Sequence, residues 1–164
     1  MKVISALKKF KNTTVLPKLN SFLLKEIILT KNIKILEFGV DKGISTAFFL
    51  NLCKKNKGKL LSVDIENYEH LYKEKEWTFL NCRDDNFNKI NSEIKWPIDI
   101  FFIDTEHTAN HVEKMIYLYF DKLKKGGIIL IDDISWIPYV KYSYRDSEWV
   151  ENNNKNTFFK ILDI

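Results

Sequence analysis

The sequence predicts an α/β fold, a doubly wound and mostly parallel sheet with helices on both faces. Three observations predict it. Short apolar runs alternate along the chain with segments whose apolar residues recur at helical spacing. The glycines stand at joints between these segments: Gly39 and Gly43, Gly58, then Gly126 and Gly127. Acids close three of the apolar runs, at Asp64, at Asp104 and at Asp132 with Asp133.

The elements follow in order. Within 1–12, Val3, Ile4, Leu7 and Phe10 share one helical face. After Pro17, Leu19, Phe22, Leu23, Ile27 and Ile28 do likewise and predict a second amphipathic helix. Residues 34–40 form a largely apolar strand of the kind buried on both sides. A helix over 45–55 stops near Gly58, and 59–65 (KLLSVDI) is the second strand. Residues 68–75 predict a helix and 77–81 a third strand. A helix over 87–94 precedes Pro97, and 98–104 (IDIFFID) is the fourth strand. Val112, Met115, Ile116, Leu118, Tyr119 and Leu123 mark a helix over 109–124, before a fifth strand at 128–131. The Asn-rich 151–156 reads as a turn and 157–163 (TFFKILD) as a last strand. Trp136, Tyr139, Tyr142, Tyr144 and Trp149 either cover a ligand or pack the open sheet edge, and packing is favoured.

Composition narrows the function. A chain of 164 residues suits one domain, with N-terminal helices over 1–30 and the main α/β unit over 31–164. A hydrophobic content of 45% and an aromatic content of 14% exclude a disordered chain. The net charge is +4, but among 26 basic residues only Arg83 and Arg145 are Arg. Nucleic-acid readers favour Arg for bidentate and stacked contacts, so a nucleic-acid partner is not expected. Cys53 and Cys82 are far apart and offer neither metal spacing nor a disulfide framework, which suits a reducing cytoplasm. No apolar run reaches the roughly 18 residues of a membrane span. Lys8, Lys9 and Lys11 are not followed by the apolar core of a secretory signal.

The stretch 35–46 (ILEFGVDKGIST) carries the strongest functional signal. An apolar strand ends in an acid and two glycines, then feeds a helix, which can set a ligand against bare backbone N–H groups. Asp64, Asp104 and the Asp132–Asp133 pair end other strands. In an open α/β sheet that edge is where ligands bind, near the reversal of strand order.

With those residues in view, the chain resembles the class I S-adenosylmethionine (SAM)-dependent methyltransferases, over about residues 33–135. It looks most like the metal-dependent small-molecule and sugar O-methyltransferases of the catechol O-methyltransferase group. LEFGVDKGIST resembles the family's acid-x-Gly-x-x-x-Gly loop, SVDI its second-strand acid, FIDTEHT its Asp-x-x-His signature and LKKGGIILIDDI its fifth-strand segment. The resemblance implies a Rossmann-like sheet that binds SAM and transfers its methyl group to a hydroxyl of a small molecule, a sugar or natural product.

It also implies roles for residues. Glu37, Gly39, Gly43 and Ser45 would surround the methionine end, the glycines because a side chain would collide with the cofactor. Asp64, with Ile65 beside it, would accept the ribose hydroxyls through its two oxygens. Asp84 would hold the adenine amino group; equally, Asp84 or Asp85 suits a helix N-cap. Asp104 would border the cofactor and, with Asp132 and Asp133, supply hard oxygen ligands to Mg²⁺ or Mn²⁺. His107 would be the base that takes the acceptor's proton, against a reading in which it only lines the next helix. His111 reads as a helix-surface residue, and His70 has no evident partner.

Two departures stand out. The family's usual turn is Asp-Gly-Asp-His, whereas this chain has Asp104-Thr105-Glu106-His107. About 30 residues follow the fifth strand, with one candidate strand where the family adds an antiparallel pair. The sheet is thus expected to be shortened at its C-terminal strand pair and closed by a second copy in a homodimer. Rival readings are a SAM-binding module without catalysis and an NAD-dependent oxidoreductase. The latter lacks its Gly-x-Gly-x-x-Gly spacing, because three residues separate Gly39 from Gly43.

Overall fold

Five strands form one sheet: β1 (Lys34–Phe38), β2 (Lys59–Asp64), β3 (Trp77–Asn81), β4 (Ile98–Ile103) and β5 (Leu123–Ile131). Their order is β3-β2-β1-β4-β5, and every pairing is parallel. The helices are α1 (Val3–Lys9), α2 (Ile44–Asn56), α3 (Phe87–Glu93), α4 (Ala109–Tyr119) and α5 (Glu148–Leu162). The structure is a computed structural model that describes residues 2–9, 11, 19, 30–134 and 148–162.

The central strands β1, β2 and β4 are buried on both faces, and their period of two sorts the core into two layers. Ile35, Leu60, Ile100 and Phe102 pack with Val3 and Ala6 of α1 and Ala47, Phe49 and Leu50 of α2. Leu36, Phe38, Leu61, Phe101 and Ile103 face the opposite way, against Ile90 of α3 and Val112, Met115 and Tyr119 of α4. Phe38, Phe101 and Tyr119 meet edge to face or tilted, with ring centroids 5.0–5.6 Å apart.

The chain runs outward from β1 through β2 to β3, then crosses back to β4, so strand order reverses between β1 and β4. Backbone bonds extend this pairing past the strand ends. Cys82 N–H donates to the Asp64 carbonyl, Gly39 N–H to Val63, Asp104 N–H to Phe38 and Asp132 N–H to Ile103, at 2.8–3.0 Å. The glycine loop and the strand-end acids therefore share one carboxyl rim.

Four expected elements differ. Residues 68–75 form turns and bends, not a helix; Tyr72, 2% exposed, and the partly buried Leu71 anchor them to the core amid the charged Lys73, Glu74, Lys75 and Glu76. The helix expected over 109–124 stops at Tyr119, passes through a 3₁₀ turn at 120–122 and gives way to β5, whose Leu123 pairs with Ile98. The turn expected at 151–156 and the strand expected at 157–163 are replaced by α5. Its inward residues Asn154, Thr157 and Ile161 are spaced by three and four, the period of a helix. The second amphipathic helix, apart from the buried Leu19, and the aromatic residues at 136, 139, 142 and 144 lie outside the described residues, as does the Trp149 side chain. Among the described residues no helix is long and apolar enough to cross a membrane.

Candidate active site

A cleft of about 340 Å³ opens on the carboxyl rim where strand order reverses. Gly39 and Asp41 from the loop after β1, Asp64 at the end of β2 and Ile65 just after it, Asp84 after β3 and Asp104 to Glu106 after β4 line it, together with His111 of α4. Ile65 is 65% exposed, an apolar side chain left open beside an acid.

Both loop glycines have positive φ, 90° at Gly39 and 74° at Gly43. A Cβ on Gly39 would sit 1.9 Å from the Asp104 carbonyl oxygen. A Cβ on Gly43 would meet Leu71 and the Tyr72 ring at 3.0 Å, and the Tyr72 hydroxyl donates to the Gly43 carbonyl at 2.8 Å. The protein's own packing thus restricts both glycines, a constraint separate from the one expected from sequence. Gly39 borders the cleft, whereas Gly43 begins α2 behind it.

Glu37 is fully buried. β1 places it opposite Ser62 of β2, whose hydroxyl donates to its Oε2 at 2.5 Å, and Thr46 of α2 donates to the same oxygen at 2.9 Å. Oε1 is buried and closes no hydrogen bond among the described residues. Burial pushes this carboxyl up to about 7, against the opposing pull of the Ser62, Ser45 and Thr46 hydroxyls. Ser45, 5% exposed, lies in the first turn of α2. Glu37 thus ties β1, β2 and α2 together beneath the loop and does not line the cleft.

Asp64 does line it. Its Oδ2 accepts from Val40 N–H at 2.7 Å and, more loosely, from Asp41 N–H at 3.4 Å; its Oδ1 accepts from Glu66 N–H at 2.9 Å. One carboxylate therefore shapes two loops and still faces the cleft.

Asp84 is 7% exposed, and its Oδ2 accepts from the Thr105 hydroxyl at 2.6 Å and from His111 Nε2 at 2.7 Å. The N-cap of α3 is Asn86, so the capping role considered for Asp84 or Asp85 is not realised. His111 is likewise not a surface residue: it is 9% exposed and borders the cleft. Its burial has a sequence signal, because His111, Met115 and Tyr119 recur every four residues on the inward face of α4. Thr105, Tyr72 and α5 carry no comparable signal.

Asp104, Asp132 and Asp133 leave adjacent strands. Burial, followed by the charge of Asp132, pushes the Asp104 carboxyl up to about 6, and His107 pulls the other way. His107 Nε2 lies 3.7 Å from Asp104 Oδ1, and Nδ1 lies 3.2 Å from the Asp132 carbonyl oxygen. The backbone oxygen of His107 accepts from Asn153 Nδ2 at 2.7 Å and Thr157 Oγ1 at 3.2 Å, both on α5. Asp133 has φ 50°, an uncommon conformation for a non-glycine residue. Among the described residues no group of three His, Cys, Asp or Glu side chains is gathered closely enough to hold a metal ion. The acids share a rim without converging on one point.

A family model described as a methyltransferase domain matches residues 36–134, more than half of the chain, from β1 to the turn after β5. The chain belongs to this methyltransferase family. No curated protein matches it. Among solved structures, it is similar to MycE methyltransferase from the mycinamycin biosynthetic pathway, in complex with Mg, S-adenosylhomocysteine (SAH) and mycinamycin VI. That match has a TM-score of 0.69 at 15% identity and covers 99% of this chain and 47% of MycE. A Staphylococcus aureus protein, provisionally assigned as a caffeoyl-CoA O-methyltransferase, matches with a TM-score of 0.66 at 15% identity, over 99% of this chain and 81% of its own. SAH-bound PaMTH1 of Podospora anserina matches with a TM-score of 0.61 at 12% identity, covering 98% of this chain and 77% of that one. At such identities the likeness is one of fold, the class I methyltransferase sheet. The chain spans less than half the length of MycE.

Proposed function

We propose that this methyltransferase-family chain binds SAM in the rim cleft and transfers its methyl group to a hydroxyl of a small molecule, a sugar or natural product, with help from a divalent cation. The observation that carries the reading is the joining of Gly39, Asp64, Asp84 and Asp104 around one cleft at the strand-order reversal.

The cleft residues fit the cofactor's chemistry part by part. Asp64 would take the ribose hydroxyls, and the apolar Ile65 would lie against the adjoining base. Asp84 Oδ1 has no hydrogen-bond partner among the described residues and would accept from the adenine 6-amino group. Gly39 and Asp104 would border the methionine end, with the α2 N-terminus behind. Glu37 and Ser45 would act from beneath the loop, holding its shape.

The sulfonium of SAM supplies an already activated methyl group, so the protein's tasks are alignment and removal of the acceptor's proton. A carbonyl can only accept a hydrogen bond, so His107 Nδ1 carries its proton toward Asp132 O. Nε2 then keeps a lone pair facing the Asp104 side of the cleft, the position of a base. Asp104, Asp132 and Asp133 are hard oxygen donors that would have to draw together to hold Mg²⁺ or Mn²⁺, and the Asp132 charge, which adds to burial in raising Asp104, is what a cation would relieve. A bound cation would supply Lewis acidity at the acceptor oxygen.

Calorimetric titration with SAH and NAD tests the reading. SAH should bind and NAD should not, and Asp64→Ala should weaken SAH by roughly a hundredfold through loss of two charge-assisted hydrogen bonds. NAD binding without SAH binding would overturn it.

A further inference from the structure

The loop after β3 is fastened to α4 at three points. His111 Nε2 meets Asp84 Oδ2 at 2.7 Å, the Tyr119 hydroxyl donates to the Asp84 carbonyl at 2.8 Å, and Lys114 Nζ lies 3.0 Å from Asp85 Oδ2. A fourth bond, from the Thr105 hydroxyl to Asp84 Oδ2 at 2.6 Å, comes from the residue that stands where the resembling family has glycine. Both side-chain donors converge on one oxygen of Asp84. Toward a carboxylate the imidazole nitrogen must donate, so Nε2–H fixes the ring as His111 fixes the acid. Two donors on one oxygen restrict rotation of the carboxylate. Its other oxygen is unbonded among the described residues, on a side chain that lines the cleft.

We infer that His111 and Thr105 are positioning residues that hold Asp84 so that the cleft selects a 6-amino purine over a 6-oxo purine. The inference rests on the cofactor reading above and adds a base-selecting clamp to it. A 6-amino group donates to the unbonded oxygen, Oδ1, of the held carboxylate. A 6-oxo purine presents an acceptor there, and its nearest donor, N1–H, is displaced along the ring edge. A clamped carboxylate cannot follow that displacement, whereas a loosened one can swing to N1–H, so release of the clamp should erase selectivity as well as affinity. His111 Nδ1 lies 3.8 Å from Glu106 Oε2, beyond hydrogen-bond reach, so the clamp acts through Nε2.

The test is calorimetric titration of the full chain with SAH and with its deaminated analogue, S-inosylhomocysteine. The wild type should prefer SAH. His111→Leu should weaken SAH roughly tenfold and bring the two affinities close together. His111→Gln, whose Nε2 can replace the lost donor, should keep the preference, and the shorter His111→Asn should not. Thr105→Val, close in shape and lacking only the hydroxyl, should shift the ratio in the same direction as His111→Leu, and it decides the matter if His111→Leu does not fold. An unchanged ratio in whichever of these two variants folds overturns the inference, as does a wild type that binds both ligands equally; in either case the SAM reading stands. A wild type that binds neither ligand overturns both.

Discussion

Asn153 on α5 donates through Nδ2 to the His107 carbonyl at 2.7 Å, and Thr157, one helical turn on, donates to the same oxygen at 3.2 Å. The last described helix thus grips the loop that carries the candidate base, across 46 residues of sequence. α5 is itself held to α4 by Lys160 Nζ, 2.8 Å from Glu113 Oε2. Removing the Asn153 amide should free the 104–108 loop with little effect on the sheet. Asn153→Ala should cost about 1 kcal/mol and raise amide hydrogen exchange at 105–108 severalfold. Unchanged exchange there would show that other bonds hold the loop.

Tyr72 is the strut of the glycine loop, and Tyr72→Phe tests it. The variant keeps the ring beside Gly43 and leaves the buried Gly43 carbonyl without its hydroxyl donor. The carbonyl keeps its bond from Ala47 N–H, so we expect a loss of about 1 kcal/mol, a fall in Tm of roughly 2–4 °C, and weaker SAH binding. A thermal melt alongside titration reads both effects. Equal Tm values would remove Tyr72 from this role.

Two glycines with similar φ separate strain from collision. Gly126 has φ 80°, and a Cβ there would meet nothing within 4 Å among the described residues, so Gly126→Ala bears conformational strain alone, about 1 kcal/mol. Gly39→Ala adds a clash with the Asp104 carbonyl and should cost more than about 3 kcal/mol or prevent folding. Urea unfolding of both variants gives the comparison. Similar costs would mean that the β1 and β4 exits can part easily.

Glu37 predicts a pH dependence of stability with a definite sign. Its folded value of about 7 lies above the ordinary glutamate value of 4.5, so between them the native state binds more protons than the unfolded chain. Its contribution is complete below about pH 4.5 and is lost as pH rises through about 7, a change on the order of 3 kcal/mol. Asp104, raised to about 6, adds in the same direction. Urea midpoints at about pH 5 and about pH 8 should differ in the wild type, and Glu37→Gln should reduce the difference to the part that Asp104 supplies. The same slope in the variant would assign the titration elsewhere.

Cation binding can be separated from methyl transfer. Mn²⁺ titrated into the protein should bind saturably, and Asp132→Asn or Asp133→Asn should abolish that binding while SAH affinity is largely kept. Electron paramagnetic resonance reports the free ion directly. A wild type that leaves Mn²⁺ free would leave His107 to act without a cation.

Much of this architecture is legible locally. β3 spans Trp77–Asn81, the residues its apolar run indicates, and β1, β2 and β4 end within two residues of their expected limits. Runs rich in β-branched and aromatic residues, bounded by Gly, Pro and Asp, carry that signal at short range. The rim of acids is legible too, because strands in a parallel sheet must all end on the same side. Local signal fails at the sheet's margins. Residues 68–75 hold charges at helical spacing but depend on long-range anchors such as Tyr72 and Leu71, and 157–163 is apolar enough for a strand until α4 offers it a helical face.

From the order of residues alone came the five strands up to Ile131, the glycine turn and the acids that end up beside it, since each depends on chain neighbours and on the period of side-chain direction. The fold settled what those residues meet. Asp104's carbonyl requires Gly39, Tyr72's hydroxyl secures Gly43, and His111 turns inward to Asp84 because strand order sets α4 across the loop that follows β3. Such pairings are properties of distances between remote segments, and no local pattern encodes them.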